Sequence, residues 1–366
     1  QIYWEFGNNG LNNRHILIFG QSGSGKTYAI QCLLCELATQ GQNSVIIDYT
    51  NGFENQKLEP ESNEILKPKQ HLVLDSPLPI NPFRIQPTLI AGELRPEKAV
   101  TTAQRVTSVF SGVYQLGDQQ KAALYQAVKR GLDQFGDHMN LDSLVQILRD
   151  ETELSSSKEA SSTLLSKIIP FVDGAPFGEE HPESWHHFYN DPESRVHIIQ
   201  LVGCAKDFST LVTEFALIDL YSLARAKGDQ KTPKVIVLDE IQNLDHSEGA
   251  PLSDYLREGR KFGISAILAT QTLRNLKEDA QDRLFQAAHK LFFRPADTEV
   301  KEYAKILGRT GEESQDVWVK RLMSLDKGEC YSMGPSANPY TSELEVCAFK
   351  IKITSLPKRM ERRTKE

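Results

Sequence analysis

The chain is 366 residues long, with 39% hydrophobic and 25% charged residues, proportions ordinary for a soluble globular protein. No apolar run approaches the roughly 18–20 residues needed to span a bilayer, so the sequence predicts a cytoplasmic protein without membrane contact. A net charge of −7 argues against an extended basic face for nucleic acid, yet leaves room for a small basic patch lining a channel. The chain opens at Gln1 with neither a methionine nor a charged-then-apolar leader, and so reads as a piece of something longer.

The apolar run His15–Phe19 predicts a first strand, and a helical pattern follows over Tyr28–Ala38. Short apolar runs at Ser44–Asp48 and His71–Asp75 predict two more strands. After Asn81-Pro82-Phe83 the character changes: from about Pro96 to Ile169 the pattern is polar and helical, clearest at Gln119–Phe135 and Leu141–Leu148, with a loop or helix start at Leu154–Ser162. Strands return at Arg195–Leu201, Lys234–Leu238, Ile264–Ala269, His289–Phe293, Gly328–Met333 and Leu344–Ile353, with a long helix over Thr210–Ala226. The alternation predicts an α/β fold with a mostly parallel sheet of eight or nine strands flanked by helices. It divides as 1–95, the first half of a nucleotide-binding core; 96–190, an inserted helical subdomain; 191–356, the second half; and 357–366, a basic tail.

Between the first strand and the first helix stands Gly20-Gln21-Ser22-Gly23-Ser24-Gly25-Lys26-Thr27, a complete G-x-x-x-x-G-K-[ST] phosphate-binding loop. Its glycines let successive main-chain N–H groups converge on a phosphate at a helix N-terminus, where Tyr28 also lies. Lys26 is expected to reach the β- and γ-phosphates of ATP, and the Thr27 hydroxyl to ligate Mg²⁺. Val235–Leu238 is an apolar strand ending in Asp239-Glu240, which would deliver both carboxylates to the same sheet edge as the loop. Asp239 is suited to the Mg²⁺ shell and Glu240 to orienting or deprotonating the attacking water, which argues for hydrolysis rather than binding alone. Arg257, Arg260 and Lys261 fall at i, i+3 and i+4 and would share one face if the segment is a helix end. Such a face suits an arginine supplied to a neighbouring subunit's γ-phosphate. Gln271, at the tip of the next strand, is a candidate γ-phosphate sensor.

The five cysteines are scattered, and Cys32-x-x-Cys35 lies within the first helix without a second pair, so buried, reduced thiols are expected. His186-His187 lacks ligand spacing.

The order of these motifs resembles the HerA/FtsK superfamily. The resemblance runs from the phosphate loop through Asp48, Asn81-Pro82-Phe83, Leu238–Leu244, Arg257–Gly263 and Ala269-Thr270-Gln271 to Arg294 and Gly328-Glu329. It implies a RecA-like P-loop ATPase that forms a ring, expected to be a hexamer, and moves DNA or, in the secretion and conjugation branches, drives other substrates. It also implies Glu240 as catalytic carboxylate, Gln271 as sensor, Arg260 as the trans-acting arginine and Arg294 as a second arginine on nucleotide. Arg274 and Lys277 match channel loops that touch DNA, although Glu278, Asp279 and Asp282 beside them depart from a basic loop. The opening stretch Ile2–Gly7 is most similar to the ATPase portion of the DptH (DndH) branch, from bacterial restriction systems that recognise DNA lacking phosphorothioate modification. That similarity implies other subunits of a restriction complex as partners. Two alternatives stay open: an ATP-gated assembly switch that never translocates, and a secretion or conjugation motor.

Overall fold

The computed structural model describes residues 10–154, 158–178, 184–274, 276–309, 313–337 and 343–363. Its strands are β1 (Ile16–Phe19), β2 (Ser44–Asp48), β3 (Lys69–Leu72), β4 (Pro87–Ile90), β5 (Glu93–Pro96), β6 (Val196–Gln200), β7 (Lys234–Leu238), β8 (Ile264–Thr270), β9 (His289–Phe293), β10 (Glu329–Ala337) and β11 (Leu344–Lys352). Nine of them form one sheet in the order β11-β10-β9-β1-β8-β7-β2-β6-β3, and β4 and β5 form a separate hairpin. Neighbours from β9 through β6 pair in parallel, whereas β10 runs antiparallel to β9 and β11 antiparallel to β10. This is the α/β, RecA-like P-loop arrangement that the sequence predicts, with an antiparallel hairpin added at one edge.

The central strands read as continuous apolar runs because both faces are covered. Ile16 and Ile18 of β1 pack on one side with Ile30, Leu34 and Leu37 of the helix Lys26–Thr39. On the other side Phe19 lies against Phe285, Phe292 and Tyr303, with ring centroids 4.9–6.0 Å apart. Cys32 and Cys35 belong to the first of these layers. All five cysteines are free, and burial pushes the Cys32 thiol up to about 12.

Contacts divide the chain into two units. The first holds Gln1–Gln70, Phe188–Gln200 and Asp229–Glu366, and with them the sheet apart from the far end of edge strand β3. The second holds His71–His187 and Leu201–Gly228. It is mostly helical, with helices at Ala99–Tyr114, Asp118–Phe135, Leu141–Leu154, Lys158–Asp173, Ser184–Tyr189 and Lys206–Lys227. Its interior is a ring cluster of Phe110, Phe171, Phe177, Phe208 and Phe215. Buried Asp219 accepts hydrogen bonds there from Trp185 Nε1 at 2.8 Å and Gln86 Nε2 at 3.2 Å, which satisfies a charge the apolar interior would otherwise penalise.

One local expectation shifts. The strand foreseen at His71–Asp75 is Lys69–Leu72, because Val73–Asp75 turn away at the sheet edge and leave Leu72 and Leu74 exposed. The Ser-rich segment Leu154–Ser162, expected as a loop or helix start, begins a helix at Lys158, its residues 155–157 lying outside those described. Among the described residues no helix is long and apolar enough to cross a membrane.

Candidate nucleotide site

The phosphate loop leaves β1 at Phe19 and enters its helix at Lys26. Gly20, Gly23 and Gly25 all take positive φ, and a Cβ on Gly20 would stand 2.6 Å from Phe293 Cβ, so only glycine fits there. The loop is tied to its surroundings through main-chain atoms. Gln21 N–H donates to the Arg294 carbonyl and Gly328 N–H donates to the Ser24 carbonyl, each at 3.0 Å. Ser24 Oγ closes the turn onto Gln21 O at 2.8 Å, while Ser22 and Gly23 face solvent.

Lys26 is buried and donates from Nζ to the carbonyls of Gly20 at 2.6 Å and Gln21 at 3.1 Å. Burial lowers its pKa, and the carboxylates of Asp239 and Glu240 pull the other way, which puts the lysine and both acids in one electrostatic neighbourhood. Asp239, at the end of β7, accepts from Thr50 Oγ1 at 3.3 Å and from the Glu240 N–H at 3.0 Å. Burial, with Glu240 and Asp48 nearby, raises the Asp239 pKa to about 6. Thr27 is close: a Cβ on Gly52 would lie 3.8 Å from the Thr27 methyl and 3.9 Å from Asp239 Oδ2.

Asp48, fully buried at the end of β2, anchors the turn after it. It accepts the N–H groups of Thr50, Gly52 and Phe53 at 2.8–3.2 Å, and Gln200 Nε2 at 3.0 Å. That turn carries Thr50 to Asp239.

Glu240 has a positive φ of 53°, rare for a side chain with a Cβ and common where function demands a particular direction. One carboxylate oxygen accepts from the Gln271 amide and the other from the Gln242 amide. Gln242 Oε1 in turn accepts the Thr270 hydroxyl at 2.8 Å. Glu240 and Gln271, foreseen separately, therefore meet directly.

The remaining candidates lie further off. Arg294 is exposed, and its carbonyl holds the loop. The Tyr28 hydroxyl accepts the Leu356 N–H at 3.0 Å, so this side chain points into the helix packing rather than the loop. Arg260 sits at the opposite ends of the parallel strands, donating to the Asn12 carbonyl at 3.0 Å before β1 begins. The helix Pro251–Glu258 stops at Gly259 and a 3₁₀ turn carries Arg260 and Lys261. Arg257 pairs with Asp254 of its own helix at 2.8 Å, and Arg257 and Lys261 both stand 3.8–3.9 Å from Glu258 Oε1, so these two share a face while Arg260 reaches Asn12. Arg274 is exposed, with its guanidinium 3.9 Å from the buried Glu299 carboxylate. Lys277 is exposed ahead of the helix Glu278–Leu284.

Two contributors carried no sequence signal. Gln242 looks like any polar residue after an acidic pair. Tyr303, fully buried, donates to Gln271 O at 3.4 Å, 32 residues earlier in the sequence, and hydrogen-bonds the Gly20 main chain, so it links loop and sensor strand. Burial raises its pKa.

The description "Helicase HerA, central domain" matches residues 6–220. The chain belongs to this family. A second description, "Type IV secretion-system coupling protein DNA-binding domain", matches residues 200–320. The DNA double-strand break repair helicase HerA of Sulfurisphaera tokodaii is 23% identical over 339 residues, 88% of this chain and 62% of that protein. The HerA of Sulfolobus acidocaldarius is 24% identical over 335 residues, again 62% of its length. This chain thus spans about three-fifths of the curated relatives it matches. Among solved structures, VirB4 of Thermoanaerobacter pseudethanolicus superposes with a TM-score of 0.71 at 17% identity, over 96% of this chain and 91% of that one. The plasmid coupling protein TrwB with a non-hydrolysable GTP analogue gives 0.60 at 17% identity, over 93% and 85%. These two likenesses establish the fold.

Proposed function

We propose that this HerA-family chain is the ATP-driven motor unit of a ring that acts on duplex DNA. The observation that carries the proposal is the convergence at one sheet edge of Lys26, Asp239, Glu240 and Gln271, with the Glu240 carboxylate bonded to the Gln271 amide. Lys26 would hold the β- and γ-phosphates. Thr27 and Asp239, one hydroxyl and one carboxylate flanking Gly52, are a donor set suited to Mg²⁺, which completes its shell with phosphate oxygens and water. Among the described residues no cluster of three or more acidic, His or Cys side chains offers a protein-only metal cage. Mg²⁺ would neutralise phosphate charge; Glu240 would take the proton of the attacking water and Gln271 would report the γ-phosphate.

Arg260, at the far ends of the same strands, is proposed as the arginine a subunit offers to its neighbour. Arg274 and Lys277 are proposed DNA contacts, with Glu299 and the acidic helix start tempering their charge. The helical segment 96–190 is proposed as an insertion in the sequence of the ATPase core.

A conjugation- or secretion-type motor is the second reading. It is favoured by the coupling-protein match over 200–320 and by the TrwB and VirB4 likenesses in fold. A role in phosphorothioation-dependent restriction rests on the opening stretch Ile2–Gly7 leading to Arg14-His15-Ile16, of which Ile2–Gly7 lies outside the described residues, and no comparison bears on it.

The test is steady-state ATP hydrolysis with and without linear duplex DNA at two salt concentrations, beside the oligomer mass in ATP. Turnover stimulated several-fold by DNA, in a ring, is the expected result. A monomer under all conditions, with turnover indifferent to DNA, would overturn the motor reading in favour of an assembly switch.

A further inference from the structure

The residues around Glu240 do more than surround it. Its carboxylate is held at both oxygens: Gln271 donates to one and Gln242 to the other. The two amides differ in how they are held. Gln271 stands at the tip of β8, half-buried, with its own main-chain carbonyl accepting from Tyr303. Gln242 lies in the one-turn 3₁₀ segment Ile241–Asn243, where its Oε1 accepts the Thr270 hydroxyl at 2.8 Å. The accepting carboxylate of Glu240 calls for the Nε2 end of the amide, which leaves Oε1 facing the Thr270 hydroxyl, whose single proton also has the Thr272 carbonyl within reach at 2.9 Å. Glu240 itself sits in the left-handed region at φ 53°, a conformation that persists in a side chain with a Cβ only where the surroundings determine it. Thr270, Gln242, Glu240 and Gln271 therefore form a closed circuit, joining the catalytic carboxylate to two successive residues of the β8 end.

We infer that Gln242 is a positioning residue for hydrolysis: it pins one Glu240 oxygen, so that departure of Gln271 toward a bound γ-phosphate frees the other, already oriented, to accept the proton of water. The inference rests on the reading of Glu240 as the base. Each carboxylate oxygen accepts along two lone-pair directions, and the Gln271 amide occupies one of those on the oxygen it holds, so its departure opens a direction in which a water molecule can donate. Once Gln271 is drawn away, a carboxylate held at one oxygen keeps its direction, whereas one held at neither can rotate about χ3, a soft torsion. Orientation of this kind acts on the chemical step and leaves ground-state nucleotide binding nearly unchanged.

The experiment uses the full chain and compares Gln242→Leu, Thr270→Val, their combination and Glu240→Gln. ATP turnover, nucleotide affinity from a fluorescent ATP analogue and melting temperature are measured for each. Gln242→Leu is expected to lower kcat about 10- to 100-fold with analogue affinity within about 2-fold of the parent. Thr270→Val, which keeps shape and removes only the hydroxyl, is expected to lower kcat in the same direction. The pair should fall short of the product of the single effects, because both act through one amide. Gln242→Leu added to Glu240→Gln should cost no further turnover, a result that a merely structural role would not produce. Loss of turnover in Glu240→Gln with normal kcat in Gln242→Leu would overturn this inference and leave the proposed function standing. Near-normal turnover in Glu240→Gln would overturn both, since there would be no base to position.

Discussion

Asp239 gives the site its sharpest thermodynamic signature. An aspartate titrates near 3.8 when exposed, but burial beside Glu240 and Asp48 raises this one to about 6 in the folded chain. Below about pH 4 both states are protonated and nothing is lost. As pH rises from there toward 6 the unfolded chain releases a proton that the folded chain keeps, so stability falls with pH; above 6 the penalty is complete and constant. Two pK units at about 1.4 kcal/mol each put that penalty near 3 kcal/mol at pH 7.5, and about half as much at pH 5. Asp239→Asn removes the charge and keeps the shape, and its Oδ1 can still accept the Glu240 N–H. The variant is therefore expected to melt higher than the parent by several degrees at pH 7.5, with a gap that narrows toward pH 5.

Thermal melts across pH 5–8, with and without Mg·ATP, measure this directly. Mg·ATP should reverse the order, because the parent gains linkage stabilisation of about 2.7 kcal/mol at a hundredfold excess over Kd, whereas the variant has lost its cation ligand. A melting gap that stays the same from pH 5 to pH 8, or a variant that melts lower throughout, would refute the reasoning. The site would then be tolerating Asp239 rather than straining to hold it.

Lys26→Ala should abolish tight binding of Mg·ATP, measured by calorimetry, since the buried ammonium is the cation that the loop brings to the phosphates; retained tight binding would remove the loop from the nucleotide site. Rings mixed from Arg260→Ala and Glu240→Gln chains should recover part of the activity that each lacks alone, because some interfaces would join an intact arginine to an intact carboxylate. Mixing verified by mass with no recovered turnover would count against Arg260 acting in trans.

Much of the site was legible because its chemistry is carried by local strings. The phosphate loop needs glycines at fixed offsets and a lysine at the helix start, and Asp239-Glu240 must follow an apolar strand; both patterns survive any context. The parallel sheet was legible for a related reason, since strands buried on both faces read as unbroken apolar runs. What the sequence hid is what depends on long-range approach. Tyr303 meets Gly20 only because β1 and the helix Val300–Gly308 pack through Phe19 and Phe292. Gln242 acquires its role from Thr270, which arrives on β8. Of the face expected for Arg257, Arg260 and Lys261, Arg257 and Lys261 do meet at Glu258, while Arg260, in the 3₁₀ turn after Gly259, turns to Asn12, a partner distant in sequence.

The position of Arg260 bears on how such an enzyme must work. Its guanidinium donates to Asn12, before β1, whereas the phosphate loop begins after Phe19, where β1 pairs with the end of β8. The seven residues of β8 span about 23 Å, far beyond the reach of an arginine side chain. Arg260 therefore cannot touch a nucleotide held by its own loop, and any contribution it makes to hydrolysis requires a second copy of the chain. Gln271 and Glu240 face the opposite constraint: bonded to each other at the loop edge, they would serve the nucleotide of their own subunit. In the proposed motor such a division of labour between the two ends of one sheet would make turnover depend on assembly, so that loss of Arg260 should be repairable by a neighbour and loss of Lys26 should not.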